Sequence, residues 1–319
     1  RGEVAQLLSN MLNAYVDEPS PETWKTFFAN SGAEANECAI KAARKYSAEK
    51  KGADCYTIVT LQNSFHGRTL TTLAATGQDH FHQLYQPLTP GFVHVPANDI
   101  QALKDCVAKV KVAGILMEVV QGEGGVLPLT AEYLAAANKL AHEQDIPLMM
   151  DEVQIGNGRS GKLYGYMNFD VQPDIVSTAK GLGGGLPIGA CLLGEKVQNV
   201  LGFGDHGSTY GGNPVCCAGG VSIIERLTDD FLAEVQKKSA YVFQTLTGAP
   251  GIESVTGLGL MIGVKPVAPA AEVVKKCMER GVLCLTAKNK VRLLPALNIP
   301  MEDLKFAVET IRAVAAELA

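Results

Sequence analysis

Residues 130–154 read TAEYLAAANKLAHEQDIPLMMDEVQ. Thr130 is a residue type that caps helix starts, Tyr133 follows it, and apolar positions recur at helical spacing through Ala131–Gln144. Pro147–Met150 then reads as a buried strand that ends on Asp151-Glu152. An amphipathic helix leading into an apolar strand is the repeating unit of a parallel α/β sheet.

The same alternation extends outward in both directions. Toward the C-terminus, Ile175–Thr178 is a second buried strand, with Lys180 at its end. Toward the N-terminus, Gly114–Val120 reads as a buried strand, Asp99–Lys109 as a helix, and Phe92–Val95 and Tyr56–Leu61 as short strands. Thr23–Ala29 is a further strand, followed by Ser31-Gly32-Ala33 and a helix over Glu34–Lys50; Gly2–Ala14 is helical. The pattern predicts a mainly parallel sheet with helices on both faces. Two helices follow, Asn213–Leu227 and Asp230–Thr247, closed by Gly248-Ala249-Pro250-Gly251. Beyond them Ser254–Val264, a helix Ala271–Arg280, strands Val282–Leu285 and Val291–Leu294 and a helix Met301–Leu318 form a compact α+β unit. The expected boundary lies near residue 250, with residues 1–250 as the large domain and 251–319 as the small one.

Composition narrows the function. A length of 319 residues suits one large domain and a smaller one, and 47% apolar with 19% charged residues is too rich in core-forming side chains for a disordered chain. The net charge of −5 gives no reason to expect nucleic acid or an anionic membrane as a partner. No apolar run is long enough to span a bilayer. The eight cysteines contain no C-x-x-C pair and mostly sit in apolar segments, so they read as reduced thiols in a cytoplasmic protein. His80, His82 and His94 lack acidic or cysteine companions at metal-ligand spacing, so no metal is expected. The chain opens on Arg1 without a signal-peptide pattern, and the protein is expected to extend further at its N-terminus.

Three segments at strand ends carry chemistry, and in open α/β sheets ligands sit outside the carboxyl ends of strands. In Asn30-Ser31-Gly32-Ala33-Glu34 small residues open a helix, where backbone N–H groups and the dipole favour an anion such as phosphate; an ordinary serine cap would look the same. In Asp151-Glu152-Val153-Gln154 a carboxylate ends a buried strand, which is costly without a partner. A protonated ring nitrogen is one partner, and a capping or salt-bridge role is the alternative. In Ser177-Thr178-Ala179-Lys180-Gly181-Leu182-Gly183-Gly184-Gly185 a lysine lies among small uncharged residues. Burial there lowers its pKa and frees the amine as a nucleophile, whereas a solvated lysine beside a flexible loop would be inert. A phosphate cup, a carboxylate for a pyridinium and a lysine for an imine together describe a site for pyridoxal 5'-phosphate (PLP).

At this point the sequence resembles the class III (subgroup II) PLP-dependent aminotransferases, of fold type I. The resemblance runs over nearly the whole chain. It is carried by Phe28–Glu37, by Asn63-Ser64-Phe65-His66-Gly67-Arg68-Thr69 and by Val120-Gln121-Gly122-Glu123-Gly124-Gly125-Val126. Further matches are Asp151–Gln154, Ala179–Gly185, His206–Pro214 and Val291-Arg292-Leu293-Leu294-Pro295.

The resemblance implies that Lys180 holds PLP and shuttles the proton, and that Asp151 keeps the pyridine nitrogen protonated. It implies that Gln154 reaches the phenolic oxygen, that Val153 and Phe65 pack on the ring, and that Ser31, Gly32 and Ala33 form the phosphate cup. Thr209 matches a phosphate contact made from a neighbouring subunit, so a homodimer with composite sites is implied. Arg68, Arg292 and Ser208 fall at substrate positions, the arginines as carboxylate binders, with Glu123 pairing Arg292. His66 is expected to pack or support rather than transfer protons. The family's opening stretch, which completes its small domain, has no counterpart here.

Within the family the chain is most similar to the branch acting on N-acetyl-L-ornithine. The implied reaction, in arginine biosynthesis, uses 2-oxoglutarate and gives N-acetyl-L-glutamate 5-semialdehyde and L-glutamate. Ornithine, succinylornithine and 4-aminobutyrate are rival donors, and a decarboxylase or aminomutase is a rival chemistry on the same fold. A non-catalytic scaffold would have no use for Lys180, Asp151, Arg68 and Arg292 together.

Overall fold

The structure, a computed structural model, describes residues 2–13 and 24–319. Ala14 and Thr23, expected in the first helix and first strand, lie outside the described residues. The elements are, in order, α1 (Gly2–Asn13), β1 (Lys25–Ala29), α2 (Gly32–Lys51), β2 (Thr57–Leu61), α3 (Leu70–Ala75), β3 (Phe92–Val95), α4 (Ile100–Lys109) and β4 (Val112–Met117). There follow β5 (Val120–Gln121), β6 (Leu127–Pro128), α5 (Ala131–Glu143), β7 (Leu148–Asp151), β8 (Ile175–Thr178), β9 (Gly189–Leu193), α6 (Pro214–Ile224) and α7 (Asp229–Leu246). The last are β10 (Ile252–Leu258), β11 (Met261–Pro266), α8 (Ala270–Glu279), β12 (Leu285–Ala287), β13 (Lys290–Leu293) and α9 (Met301–Glu317).

Short polar side chains start several of the helices. Thr130 accepts the N–H of Tyr133 at 3.1 Å, Asp99 that of Ala102 at 2.9 Å and Asn213 that of Val215 at 2.9 Å. Strands β4, β7, β8 and β9 are buried at every position, as expected when both faces of a sheet are covered.

Two compact units result. The first comprises Arg1–Val119, Leu129–Asn157 and Tyr166–Arg226. Its seven-stranded sheet runs β1-β9-β8-β7-β4-β2-β3. The pairs from β8 through to β3 are parallel, and β9 pairs antiparallel with both β8 and β1. The mainly parallel sheet is therefore the observed one. Ile40, Tyr46, Ile58, Leu116, Met149 and Ile175 belong to a core formed between α2 and this sheet.

The second unit comprises Val120–Pro128, Gly158–Gly165 and Leu227–Ala319. Its antiparallel sheet runs β10-β11-β13-β12, and β5 pairs with β6 as a short hairpin. Val235 and Leu246 of α7 share its core with Ile262, Val273, Val291 and Ile311.

Four local readings change. Gly189–Leu193 is a strand the sequence did not announce, and α3 is a helix it did not announce. The apolar run Gly114–Val120 splits, because Val120 leaves the large sheet to pair with Pro128. The strand expected at Val282–Leu285 begins only at Leu285. Val282 instead donates its N–H to Cys277 O at 2.9 Å and finishes the end of α8.

Candidate active site

Asp151 is the last residue of β7 and is 4% exposed. Its Oδ2 accepts from Asn36 Nδ2 at 2.7 Å and lies 2.8 Å from His66 Nδ1; its Oδ1 accepts from Val153 N at 3.0 Å. Asn36 Nδ2 also donates to His66 O at 2.9 Å. Helix α2, the loop after β2 and the end of β7 thus converge on one carboxylate. These three hydrogen bonds use three of the roughly four acceptor positions of a carboxylate. A buried carboxylate is costly without positive charge nearby, and the remaining position suits a protonated ring nitrogen. Asn36 lies within the Phe28–Glu37 segment, and no role for it follows from the sequence alone. A polar side chain on the buried face of α2, between Ala35 and Cys38, was the available sign, since a buried amide needs partners.

Lys180 follows β8 and opens a short 3₁₀ turn with φ of +44°. Asn157 Nδ2 fixes the approach, donating to Thr178 Oγ1 and Ala179 O, both at 3.0 Å. The burial argued from its apolar neighbours is not found. Thr178 and Ala179 are buried, but Lys180 is exposed in the chain. The run of buried residues ends where the backbone turns left-handed, so sequence neighbours do not become spatial cover.

The Ser31 turn sits beside the end of β7. Ser31 Oγ caps α2, accepting Glu34 N at 3.3 Å. That satisfies one first-turn donor and leaves the N–H groups of Gly32 and Ala33 without intrahelical partners, so the capping and anion readings hold together. A Cβ on Gly32 would lie 2.5 Å from Val153 Cγ1. Only glycine lets the turn approach the Asp151–Gln154 segment this closely. Asn30 Nδ2 reaches Ser208 Oγ at 3.0 Å, which places Ser208 at the same turn, while Thr209 is exposed. A glycine-containing helix start with unpaired N–H groups and a buried carboxylate are both features of this structure, and they fit PLP.

Phe65, half-buried, donates its N–H to Glu118 Oε2 at 2.9 Å and packs edge-on against Phe81 at 5.6 Å. The exposed Arg68 guanidinium lies 5.5 Å from the Phe65 ring centroid and 6.0 Å from that of Phe81. Gln154 is half-buried next to Val153.

In the second unit, Arg292 on β13 donates from Nη1 to Glu123 Oε1 at 2.7 Å. The arginine side chain is 10% exposed and the glutamate 38%. A well-covered guanidinium whose carboxylate partner is open to solvent can exchange that partner for another carboxylate.

Among the described residues, no group of three or more His, Cys, Asp or Glu side chains is placed to hold a metal. No helix of the described residues is long and apolar enough to cross a membrane.

Comparison with known proteins gives a consistent result. The family described as aminotransferase class-III matches residues 2–315. The acetylornithine aminotransferase of Haemophilus ducreyi is 49% identical over 329 residues, covering 99% of this chain and 84% of that protein. That of Caldanaerobacter subterraneus subsp. tengcongensis is 44% identical over 301 residues, covering 92% and 76%. Among solved structures, an ornithine aminotransferase from Toxoplasma gondii with partial occupancy of PLP at its active site aligns with a TM-score of 0.90. Its identity is 30%, over 99% of this chain and 76% of that one. The N-acetylornithine aminotransferase of Stenotrophomonas maltophilia K279a aligns with a TM-score of 0.80 and 31% identity, over 98% and 78%.

Proposed function

This chain belongs to the class-III aminotransferases, and on that premise we propose that it moves the terminal amino group of N-acetyl-L-ornithine to 2-oxoglutarate with PLP as cofactor. The products are N-acetyl-L-glutamate 5-semialdehyde and L-glutamate, and the place is arginine biosynthesis. The 49% identity to an acetylornithine aminotransferase over 99% of the chain carries this reading. The buried Asp151 carboxylate supports the cofactor.

When bound, PLP supplies an electron sink for the carbon that loses its proton. The chain's own residues supply the rest. Lys180 Nζ would hold the cofactor covalently and move the proton at the substrate carbon. The remaining acceptor position of Asp151 would keep a proton on the ring nitrogen, and His66 and Asn36 orient that carboxylate. Gly32 and Ala33 N–H groups with Ser31 would take the phosphate, Phe65 and Val153 would pack on the ring, and Gln154 would reach the phenolic oxygen. Arg68 and Ser208 bind the substrate's distant end. Arg292 binds the carboxylate of 2-oxoglutarate or glutamate nearest the reacting carbon. Glu123 neutralises Arg292 while the amine donor, which has no carboxylate there, is being used.

Thr209, exposed in one chain, is the proposed phosphate contact of a second subunit, in a cytoplasmic homodimer with shared sites. Mixing a Lys180→Ala subunit with a Thr209→Val subunit tests this. Activity returns in the heterodimers, and no recovery under confirmed subunit exchange rejects the shared site.

The donor is tested by single turnover of the PLP-loaded protein with N-acetylornithine, ornithine, succinylornithine and 4-aminobutyrate. N-acetylornithine is used best, by about tenfold or more, the discrimination available from one or two lost contacts. One glutamate forms per donor consumed when 2-oxoglutarate is added. Faster use of ornithine would reassign the donor, and absence of glutamate would reject transamination.

A further inference from the structure

The turn that carries Glu123 is held from behind. Gly122–Val126 joins β5 to β6, and Val126, fully buried, takes a φ of +52°. Left-handed backbone is unfavourable for a β-branched residue, so neighbouring groups must hold the turn in place.

The sheet of the second unit does so. Thr256, Gly263 and Arg292 stand opposite one another across β10, β11 and β13, and residues directly opposite in an antiparallel sheet share a face. Gly263, in the middle, carries no side chain. A Cβ there would come within 2.8 Å of Val126 Cβ and 3.0 Å of Lys290 Cδ. The turn therefore rests on Gly263, with a hydrogen bond on either side. On one side Arg292 Nη1 donates to Glu123 Oε1 at 2.7 Å. On the other, Thr256 Oγ1 donates to Val126 O at 2.8 Å.

Lys290, two residues before Arg292 on β13 and so on the same face, completes the clamp. Its Nζ lies 2.7 Å from Thr256 Oγ1 and 3.5 Å from Val126 O. An ammonium can only donate. The Thr256 hydroxyl must then accept from Lys290 and direct its own proton at Val126 O, an alignment that strengthens both bonds. Lys290 is 7% exposed and makes no ion pair among the described residues. Burial, with Lys265 nearby, holds its ammonium below the ordinary lysine value.

We propose that Thr256 and Lys290 are positioning residues for Glu123: through the Val126 carbonyl they set how firmly Glu123 holds Arg292, and so how readily a substrate carboxylate displaces it. This rests on the reading of Arg292 as a carboxylate site.

Glutarate is a dicarboxylate with no amine or ketone to react. Its binding to the PLP-loaded protein is measured by calorimetry for the wild type, E123Q, T256V, T256S and K290M. E123Q binds glutarate more tightly because the competing anion is gone. T256V and K290M tighten binding about 2- to 10-fold, the effect of one lost hydrogen bond. T256S, which keeps the hydroxyl, binds like the wild type, and adding T256V to E123Q changes nothing further. If E123Q leaves glutarate affinity unchanged, the carboxylate-exchange reading itself is wrong. If E123Q tightens binding but T256V and K290M do not, or T256V has its full effect without Glu123, the clamp alone is rejected. K290M carries the comparison if T256V does not fold.

Discussion

Lys180→Ala loses turnover by at least about 10²–10⁴-fold, the contribution of a positioned proton-transfer group, even when PLP is supplied in excess. Borohydride reduction of the parent protein followed by peptide mapping finds the pyridoxyl group on Lys180. The same treatment of the variant leaves no label at that peptide. The residues before the lysine are fixed by Asn157, which donates to Thr178 Oγ1 and Ala179 O, so the approach to the site does not depend on the lysine alone. Label on another lysine, or a rate within tenfold of the parent, would overturn the assignment.

Asp151→Asn keeps the shape and removes the charge. The variant retains PLP, because the phosphate turn at Gly32 and the lysine are intact, but both half-reactions slow. Loss of one such electrostatic contact costs about 3 kcal/mol, roughly a hundredfold. The surrounding bonds can adjust. The amide oxygen can take the Oδ2 position and keep the bonds to Asn36 Nδ2 and His66 Nδ1, while its NH2 then faces the Val153 N–H and that one bond is lost. Folding should thus survive while the hold on the ring nitrogen's proton is lost. Single-turnover rates for donor and for glutamate read this directly, and near-parental rates would show that Asp151 has only a structural role.

The large sheet was legible because β4, β7 and β8 are apolar throughout and separated by helices with recognisable caps. Asp151 and Lys180 were legible for the same reason, each standing where an apolar run stops. Strand β9 was not, since Gly189-Ala190-Cys191-Leu192-Leu193 has no flanking pattern that announces antiparallel pairing. The exposure of Lys180 depends on a single left-handed residue, which side-chain chemistry does not reveal. The pairing of Glu123 with Arg292 came through resemblance alone. The partners lie far apart in the chain, and no local period connects them. The same distance hid the grouping of Val120–Pro128 and Gly158–Gly165 with residues after 227. The role of Asn36 is not legible in the sequence because its partner, Asp151, becomes its neighbour only when α2 packs on the sheet.

The position of β9 also orders events during synthesis. Among the described residues, strand β1 has one neighbour in the large sheet, β9, with Lys25 opposite Leu193 and Ala29 opposite Gly189. The two are separated by about 160 residues, which a ribosome takes roughly ten to thirty seconds to add. Until then β1 has no strand to pair with, and the Ser31 turn at its end lacks the support of Gly189, where even a methyl group would come within 2.4 Å of Ser31 O. Lys180 emerges just before β9. The nascent chain therefore acquires Lys180 and the strand that supports the Ser31 turn within one short stretch of translation, and a ribosome stalled before Gly189 holds a polypeptide whose Ser31 turn still lacks that support.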